Sequence, residues 1–315
     1  MQMTKLSFLV IGAGAIGQRH ASNLLELGYM CKVIAFRDLL DLKSILRQGS
    51  FDGVIVATAS QVRSEVLSPC FDLKIPVYIE KPIAYDQKTL DHIFSLPEDY
   101  LKKCYAGFMM RCHPMVLFLL ELDYSDAYNF SFEIGHDVTQ WRQNWKFSDS
   151  YAADPDGGGV LLDLCHEIDL ANILFAPLTV QEVMSLDHQD FTKVDFASTI
   201  TFSNKLNLIG TVSMDYLSPV SRRRLTIKST QYVDEIDFLT GEYRRVTREN
   251  TTVKNLAFER NNMFLDVLSL FCKSIMGEES SLLLQPSLDK VKTSCELIVD
   301  SWENRKFVGS VKGDF

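Results

Sequence analysis

The stretch Ser7 to Gly28, SFLVIGAGAIGQRHASNLLELG, decides how this chain is read. An apolar run at residues 6–11 has the length of a buried parallel strand. Gly12, Gly14 and Gly17 follow at G-x-G-x-x-G spacing, and Ala21, Leu24, Leu25 and Gly28 then read as an amphipathic helix stopped by glycine. Glycine triplets of this kind occur by chance. Here strand, turn, helix and a second strand stand in order, which gives each glycine a mechanical reason. Gly12 permits the tight turn, Gly14 lets the backbone approach a pyrophosphate, and Gly17 lets the helix pack close to the strand. Ala15 and Ile16 complete the turn and are expected to lie against a dinucleotide with the glycines.

Outward from this stretch the alternation continues. Strands are expected at 32–36, at 53–57 (GVIVA) and at 76–79 (PVYI), with helical stretches between them. Strand and helix in repeated alternation predict a doubly wound parallel sheet with right-handed crossovers, a Rossmann domain over residues 1–122. The end of its second strand should read the adenosine ribose. An acid there favours a free 2′-hydroxyl and an arginine accommodates a 2′-phosphate. Asp38 favours NAD slightly, and the adjacent Arg37 keeps NADP open.

Beyond residue 122 the period changes to two. Tyr128, Phe130, Phe132 and Ile134 alternate with polar residues, as do 195–202 and 206–214, joined by a hairpin at Ser203-Asn204-Lys205. Strands at 224–228, 233–238 and 243–247 continue the meander. Residues 123–315 therefore read as an α+β domain with an open, mainly antiparallel sheet, partnered by a helical segment at 157–175. Two helices with apolar stripes close the chain and pack back: Phe264, Val267, Leu268, Phe271 and Ile275, capped by Gly277, then Leu288, Val291, Cys295, Ile298, Val299 and Trp302. The basic run Arg222-Arg223-Arg224 reads as a solvated strand edge, with a ligand phosphate as the other possibility.

The 315 residues carry a formal net charge of −9, which argues against nucleic acid or an anionic membrane as partner. The first apolar run is too short for a secretory signal, and no stretch reaches the roughly 18 apolar residues that span a bilayer. The seven cysteines are scattered, with no C-x-x-C pair, as expected of reduced, buried thiols in a cytoplasmic protein.

Two clusters can carry chemistry. The first is YIEKPIAY (78–85), which sets Glu80 and Lys81 at the carboxyl end of a parallel strand, where ligands bind in such sheets. A lysine beside a nicotinamide and a substrate hydroxyl can move a proton. The second is DGGGVLLDLCHEIDLANILF (156–175), in which Asp163, His166 and Asp169 recur every three residues. A carboxylate one helical turn from an imidazole can orient it for acid–base work. Each cluster alone has a plainer reading: a solvated turn for the first, and dipole-favoured acids with one satisfied histidine for the second. No further ligand set accompanies the second, and no metal is expected.

Together, the fingerprint, Glu-Lys-Pro and Gly-Gly-Gly-x-x-x-Asp-x-x-His resemble the Gfo/Idh/MocA family of oxidoreductases. GFMMRCHPMV (107–116) looks like the family's arginine segment. GHDVTQWRQNWKFSDSYAADPDGGGVLLDLCHEID (135–169) is similar to a branch found with bacterial surface-sugar and nonulosonic-acid genes. The resemblance implies an NAD(P)-dependent oxidoreductase moving a hydride between nicotinamide and a carbinol carbon of a sugar, sugar nucleotide or polyol. It implies that Lys81 lies beside the nicotinamide, that His166 exchanges the hydroxyl proton, and that Asp163 supports it or holds substrate. Glu80 and Thr58 would contact the cofactor, and Arg111, Trp141, Arg142 and Tyr151 would line the substrate pocket. It further implies a homodimer or homotetramer joined through the sheet. Two departures stand out: the step from Asp163 to His166 is three positions where many members have four, and Ala59 and Arg63 replace a proline and a histidine after the third strand. The second departure motivates an alternative, a non-catalytic dinucleotide-binding regulator.

Overall fold

A computed structural model describes residues 5–140, 146–278, 280, 282 and 284–313. From the N-terminal side the chain forms β1 (Ser7–Ile11), α1 (Ala15–Glu26), β2 (Met30–Ile34), α2 (Leu42–Gln48), β3 (Gly53–Val56), α3 (Arg63–Asp72), β4 (Val77–Ile79), α4 (Gln87–Phe94), α5 (Glu98–Leu101) and β5 (Tyr105–Ala106). These strands make one parallel sheet in the order β2-β1-β3-β4-β5. The order reverses beside β1, so the carboxyl ends of β1 and β3 form the crevice that such sheets offer a ligand. Phe8 to Ile11 and all of β3 and β4 are buried, which is why they read as continuous apolar runs. β2 lies two residues earlier than the 32–36 expected, so Arg37 and Asp38 fall in a short turn, Phe36–Asp38, beyond the strand.

The chain continues through α6 (Pro114–Leu119), β6 (Ala127–Gly135), α7 (Val160–Asp163), α8 (His166–Phe175), β7 (Thr179–His188), β8 (Ala197–Ser203), β9 (Ile209–Asp215), β10 (Arg222–Ser229), β11 (Tyr232–Asp237), β12 (Glu242–Thr247), β13 (Thr251–Asn255), α9 (Arg260–Met276), α10 (Leu288–Glu303) and β14 (Lys306–Val311). A second sheet takes nine of the strands in the order β13-β12-β11-β10-β6-β9-β8-β7-β14. It is mixed and mostly antiparallel: β6 with β9 and β14 with β7 are its parallel pairs. A Rossmann-type sheet followed by a separate, mostly antiparallel sheet is the fold class expected from the sequence.

One face of the second sheet carries Phe130, Phe132, Ile200, Phe202, Val212, Met214, Leu225 and Ile227, all buried. The opposite face is hydroxylic, with Thr199 bonded to Ser213 at 3.2 Å and Thr211 to Ser131 at 3.3 Å. β10 lies between β11 and β6, so Arg222-Arg223-Arg224 is in the interior of the sheet and not at its edge. Arg223 pairs with buried Glu167 at 2.6 Å and Arg224 with Asp237 at 3.2 Å.

By internal contacts the chain divides into two units. One runs to Cys112 and takes in Glu259–Lys292, and the other comprises His113–Phe258 and the chain from Thr293 onward. The change of unit thus precedes the 122/123 boundary read from the sequence. The reason is α6: Phe118 packs on Tyr243 at 5.0 Å and under the Lys254 ammonium at 3.9 Å, both in the second unit. In the first unit α9 lies on the parallel sheet, with Phe271 meeting Phe8, Tyr78 and Tyr105 at 6.0, 5.9 and 5.8 Å. Gly277 ends α9 at φ 73°, the left-handed cap expected of glycine there.

None of the seven cysteines is in a disulfide; six are buried and Cys31 is half-buried. Burial pushes Cys70, Cys104, Cys112 and Cys272 up to about 12, far from reactive thiolates. Among the described residues no helix is long and apolar enough to cross a membrane.

Candidate functional site

The glycine turn separates the work of its three glycines. Gly12 has φ +116°, and a Cβ there would lie 2.3 Å from the Ala57 carbonyl oxygen. A Cβ on Gly17 would lie 1.8 Å from the Gly12 carbonyl oxygen, so this glycine admits α1 against the strand turn. Gly14 caps α1, and a Cβ on it would meet nothing within 4 Å. Two glycines are therefore required by the protein itself, and the third stands before open space at a helix N-terminus. That is the arrangement a pyrophosphate needs. Ala15 and Ile16 open α1, and Ile16 keeps 36% of its surface exposed there.

Arg37 and Asp38 are both exposed, with Nε and Oδ1 3.8 Å apart. Thr58 follows β3. Its hydroxyl oxygen is buried without a hydrogen-bond partner among the described residues, and its carbonyl accepts from Nη2 of Arg63 at 2.9 Å. Arg63, which stands where the family pattern has histidine, is only 3% exposed. It is a brace inside this loop.

Glu80 and Lys81 follow β4. Nε2 of His20, on α1, lies 2.7 Å from Oε1 of Glu80, and the Lys81 backbone N–H donates to Oε2 at 3.2 Å. Burial pushes the Glu80 carboxyl up, but the His20 hydrogen bond and the charges of His20, Lys81 and Arg63 outweigh it and hold the pKa below the ordinary carboxylate value. Lys81 is half-buried. Arg111 sits in the turn Met109–Cys112, 3% exposed, with its guanidinium 5.7 Å from the Phe108 ring.

In the second unit the segment expected as one helix is two. α7 ends at Asp163, Leu164 and Cys165 break the run, and α8 begins at His166. Asp163 and His166 therefore do not sit on one continuous helix face, as their spacing had implied. The glycines explain the entry to α7. Gly157 and Gly159 have φ 83° and 88°, and a Cβ on Gly159 would lie 2.0 Å from an Asp195 oxygen. Asp195 accepts the Leu161 N–H at 2.8 Å and the Ser198 hydroxyl at 3.0 Å, and its other oxygen pairs with Arg305.

Asp163, 8% exposed, accepts hydroxyl hydrogens from Tyr151 at 2.6 Å and Tyr216 at 3.2 Å. Tyr151 is 46% exposed, whereas Tyr216 is fully buried. Burial, then the charges of Asp163, Tyr151 and Asp195, push the Tyr216 phenol well above its ordinary pKa, so it stays a donor. Sequence reading missed Tyr216: it lies just past β9, with no motif around it. His166 is 7% exposed and Asp169 fully buried. Trp141 and Arg142 lie outside the described residues. Among the described residues no group of three or more His, Cys, Asp and Glu side chains gathers as a metal site.

No family model and no curated protein matches the chain. Solved structures do. UDP-N-acetylglucosamine 3-dehydrogenase GnnA from Acidithiobacillus ferrooxidans is 16% identical, over 95% of this chain and 98% of that one, with a TM-score of 0.74. The 3-ketoreductase KijD10 from Actinomadura kijaniata, in complex with NADP and TDP-benzene, is 13% identical over 97% and 99%, TM-score 0.76. Levoglucosan dehydrogenase, in complex with NADH and L-sorbose, is 14% identical over 96% and 97%, TM-score 0.76. At these identities the likeness establishes the fold, over nearly the whole length of each chain.

Proposed function

We propose that the chain is an NAD(P)-dependent oxidoreductase of the Gfo/Idh/MocA family that acts on a CH–OH group of a sugar, sugar nucleotide or related polyol. The observation that carries this reading is the glycine turn, in which Gly12 and Gly17 serve the packing and Gly14 faces open space at the start of α1. The ketoreductase KijD10 and levoglucosan dehydrogenase, which share the fold, support it, since those two structures hold NADP with TDP-benzene and NADH with L-sorbose.

Bound nicotinamide supplies the hydride chemistry: its C4 takes or gives a hydrogen with its electron pair. The protein's part is binding, orientation and the proton. The backbone at Gly12, Gly14, Ala15, Ile16 and Gly17 receives the pyrophosphate, with Thr58 and Glu80 further along the same cofactor. Asp38, adjacent to Arg37, bonds the ribose 2′-hydroxyl, so NAD is the preferred form. Lys81 lies beside the reacting hydroxyl, and Lys81 or His166 carries its proton as the carbinol becomes a carbonyl or the reverse. Asp163, held by two tyrosines, supports His166 or fixes a substrate hydroxyl. Arg111, Trp141, Arg142 and Tyr151 contribute to substrate contact, and the assembly is a dimer or tetramer. The branch associated with bacterial surface-sugar genes is the preferred placement.

The test is a fluorescence titration with NADH and NADPH, following energy transfer from tryptophan, then hydrogen-label exchange between the bound nicotinamide and a panel of sugars and sugar nucleotides. Micromolar binding of one cofactor and exchange with one sugar are expected. The Lys81→Met variant should exchange at least about 100-fold more slowly. Folded protein that binds neither cofactor would remove the reading.

A further inference from the structure

We infer that His20 is a positioning residue for Lys81, acting through Glu80. The inference rests on the proposed function only in giving Lys81 a chemical role; the geometry stands without it. Three observations carry it.

First, Glu80 joins two parts of the nucleotide-binding unit that are remote in sequence. One carboxylate oxygen meets His20 Nε2 at 2.7 Å, and the other accepts the backbone N–H of Lys81 at 3.2 Å. His20 belongs to α1, the helix whose first residues follow the Gly14 turn. A displacement of that helix is therefore transmitted to the Lys81 backbone through a single carboxylate.

Second, the link is built in a closed space. His20 is 0% exposed and Glu80 8%. The His20 ring is fixed edge-on between Tyr78, at 4.9 Å, and Phe264, at 6.1 Å. Gly107 leaves room for the carboxylate, since a Cβ there would lie 2.8 Å from Glu80 Oε2. A buried carboxylate held this way has few alternative positions.

Third, packing alone does not require a histidine here. Nδ1 of His20 is buried with no hydrogen-bond partner among the described residues, so the ring's polar contact is concentrated in Nε2. An apolar ring would pack between Tyr78 and Phe264 without leaving that nitrogen bare. Because the Glu80 carboxyl is held below its ordinary pKa it is ionised and only accepts, so Nε2 carries the hydrogen of the bond.

The experiment measures Lys81 directly. The full chain is reductively methylated with formaldehyde and cyanoborohydride, and the rate at Lys81 is read by peptide mass spectrometry against the exposed Lys43 and Lys102 of the same unit. The variants are His20→Phe, which removes the donor and keeps a ring, His20→Gln, whose amide nitrogen restores a donor near Nε2, and Glu80→Gln, which can no longer accept from both groups. Expected are at least a threefold change in the Lys81 rate in His20→Phe and in Glu80→Gln, unchanged control lysines, and a return toward the wild-type rate in His20→Gln. Loosening of the whole unit would shift Lys43 and Lys102 as well. An unchanged Lys81 rate in folded His20→Phe overturns the inference. If His20→Phe does not fold, Glu80→Gln decides, and an unchanged rate there overturns it equally. The same series with saturating NADH keeps the two conclusions apart. Failure of the wild type to bind NADH or NADPH removes the oxidoreductase reading and leaves the unliganded labelling result standing, while normal binding with unchanged labelling removes only the role of His20.

Discussion

The hydroxyl of Tyr151 donates to Asp163 at 2.6 Å, while buried Tyr216 donates to the other carboxylate oxygen at 3.2 Å. A buried carboxylate with two phenol donors is held at both oxygens. Tyr216→Phe or Tyr151→Phe should each cost about 1 kcal/mol of stability, the worth of one hydrogen bond. The double variant should cost more than the sum, by about 0.5 kcal/mol or more, because Asp163 then loses both donors together. Urea unfolding of the four proteins checks this. Strict additivity would mean that the two tyrosines do not act on one carboxylate.

The glycines of the first turn make opposite predictions. Gly14 has φ −72° and open space at its Cβ position, so alanine fits the fold. Gly14→Ala should melt near wild type and bind NADH and NADPH at least about tenfold more weakly, since its methyl occupies the place a pyrophosphate needs. Gly17→Ala should lose fold stability outright, because its Cβ would lie 1.8 Å from a backbone carbonyl oxygen. A melting scan and a cofactor titration on both variants separate the two effects.

Much of this was legible in the sequence, and what was not shares a cause. Strands β1, β3 and β4 announced themselves as apolar runs, and the glycine spacing fixed the turn between β1 and α1. The parallel pairing of β6 with β9 and of β14 with β7 left no local trace, since alternation says which face is buried and not which strand lies alongside. The break between α7 and α8 falls at Leu164-Cys165, with no glycine or proline to mark it. Polar contacts between distant residues were the least visible: His20 with Glu80 spans 60 positions and Asp163 with Tyr216 spans 53. Lys81, Asp163 and His166 stood out because each belongs to a motif. Their supports stand in ordinary strand and helix surroundings.

Asp195 and Arg305 form a buried pair beneath the start of α7, with side-chain exposures of 0% and 8%. Asp195 also holds the Leu161 N–H and the Ser198 hydroxyl. Removing the cation alone strands a buried carboxylate, so Arg305→Met should destabilise the protein by about 3–5 kcal/mol. Asp195→Asn with Arg305→Met should recover part of the loss, since no unpaired charge remains. Chemical denaturation of the single and double variants reads the difference, and a single variant as stable as wild type would show that the pair bears no load.

His113 sets the last expectation, a pH dependence. It caps α6 by accepting the Met115 N–H on Nδ1 at 2.9 Å, and its ring lies 4.2 Å from Phe258 and 5.7 Å from Phe238. Burial first, and the positive charge of Arg223 second, hold its pKa at about 4, against an ordinary 6.5. The folded protein therefore binds fewer protons at this site than the unfolded chain. Stability is intact above pH 6.5 and falls as the pH drops from there to about 4, where the folded imidazole also charges and the site's contribution levels off. The full span corresponds to about 3 kcal/mol at most. His113→Asn keeps an acceptor for the helix cap and removes the titration. Its baseline stability falls because the ring contacts are lost, so the informative quantity is the slope. Between pH 6.5 and 4 the wild type should lose stability more steeply than His113→Asn, and above pH 7 the two curves should run parallel. Equal slopes throughout would mean that His113 is charged in the folded protein at ordinary acidity.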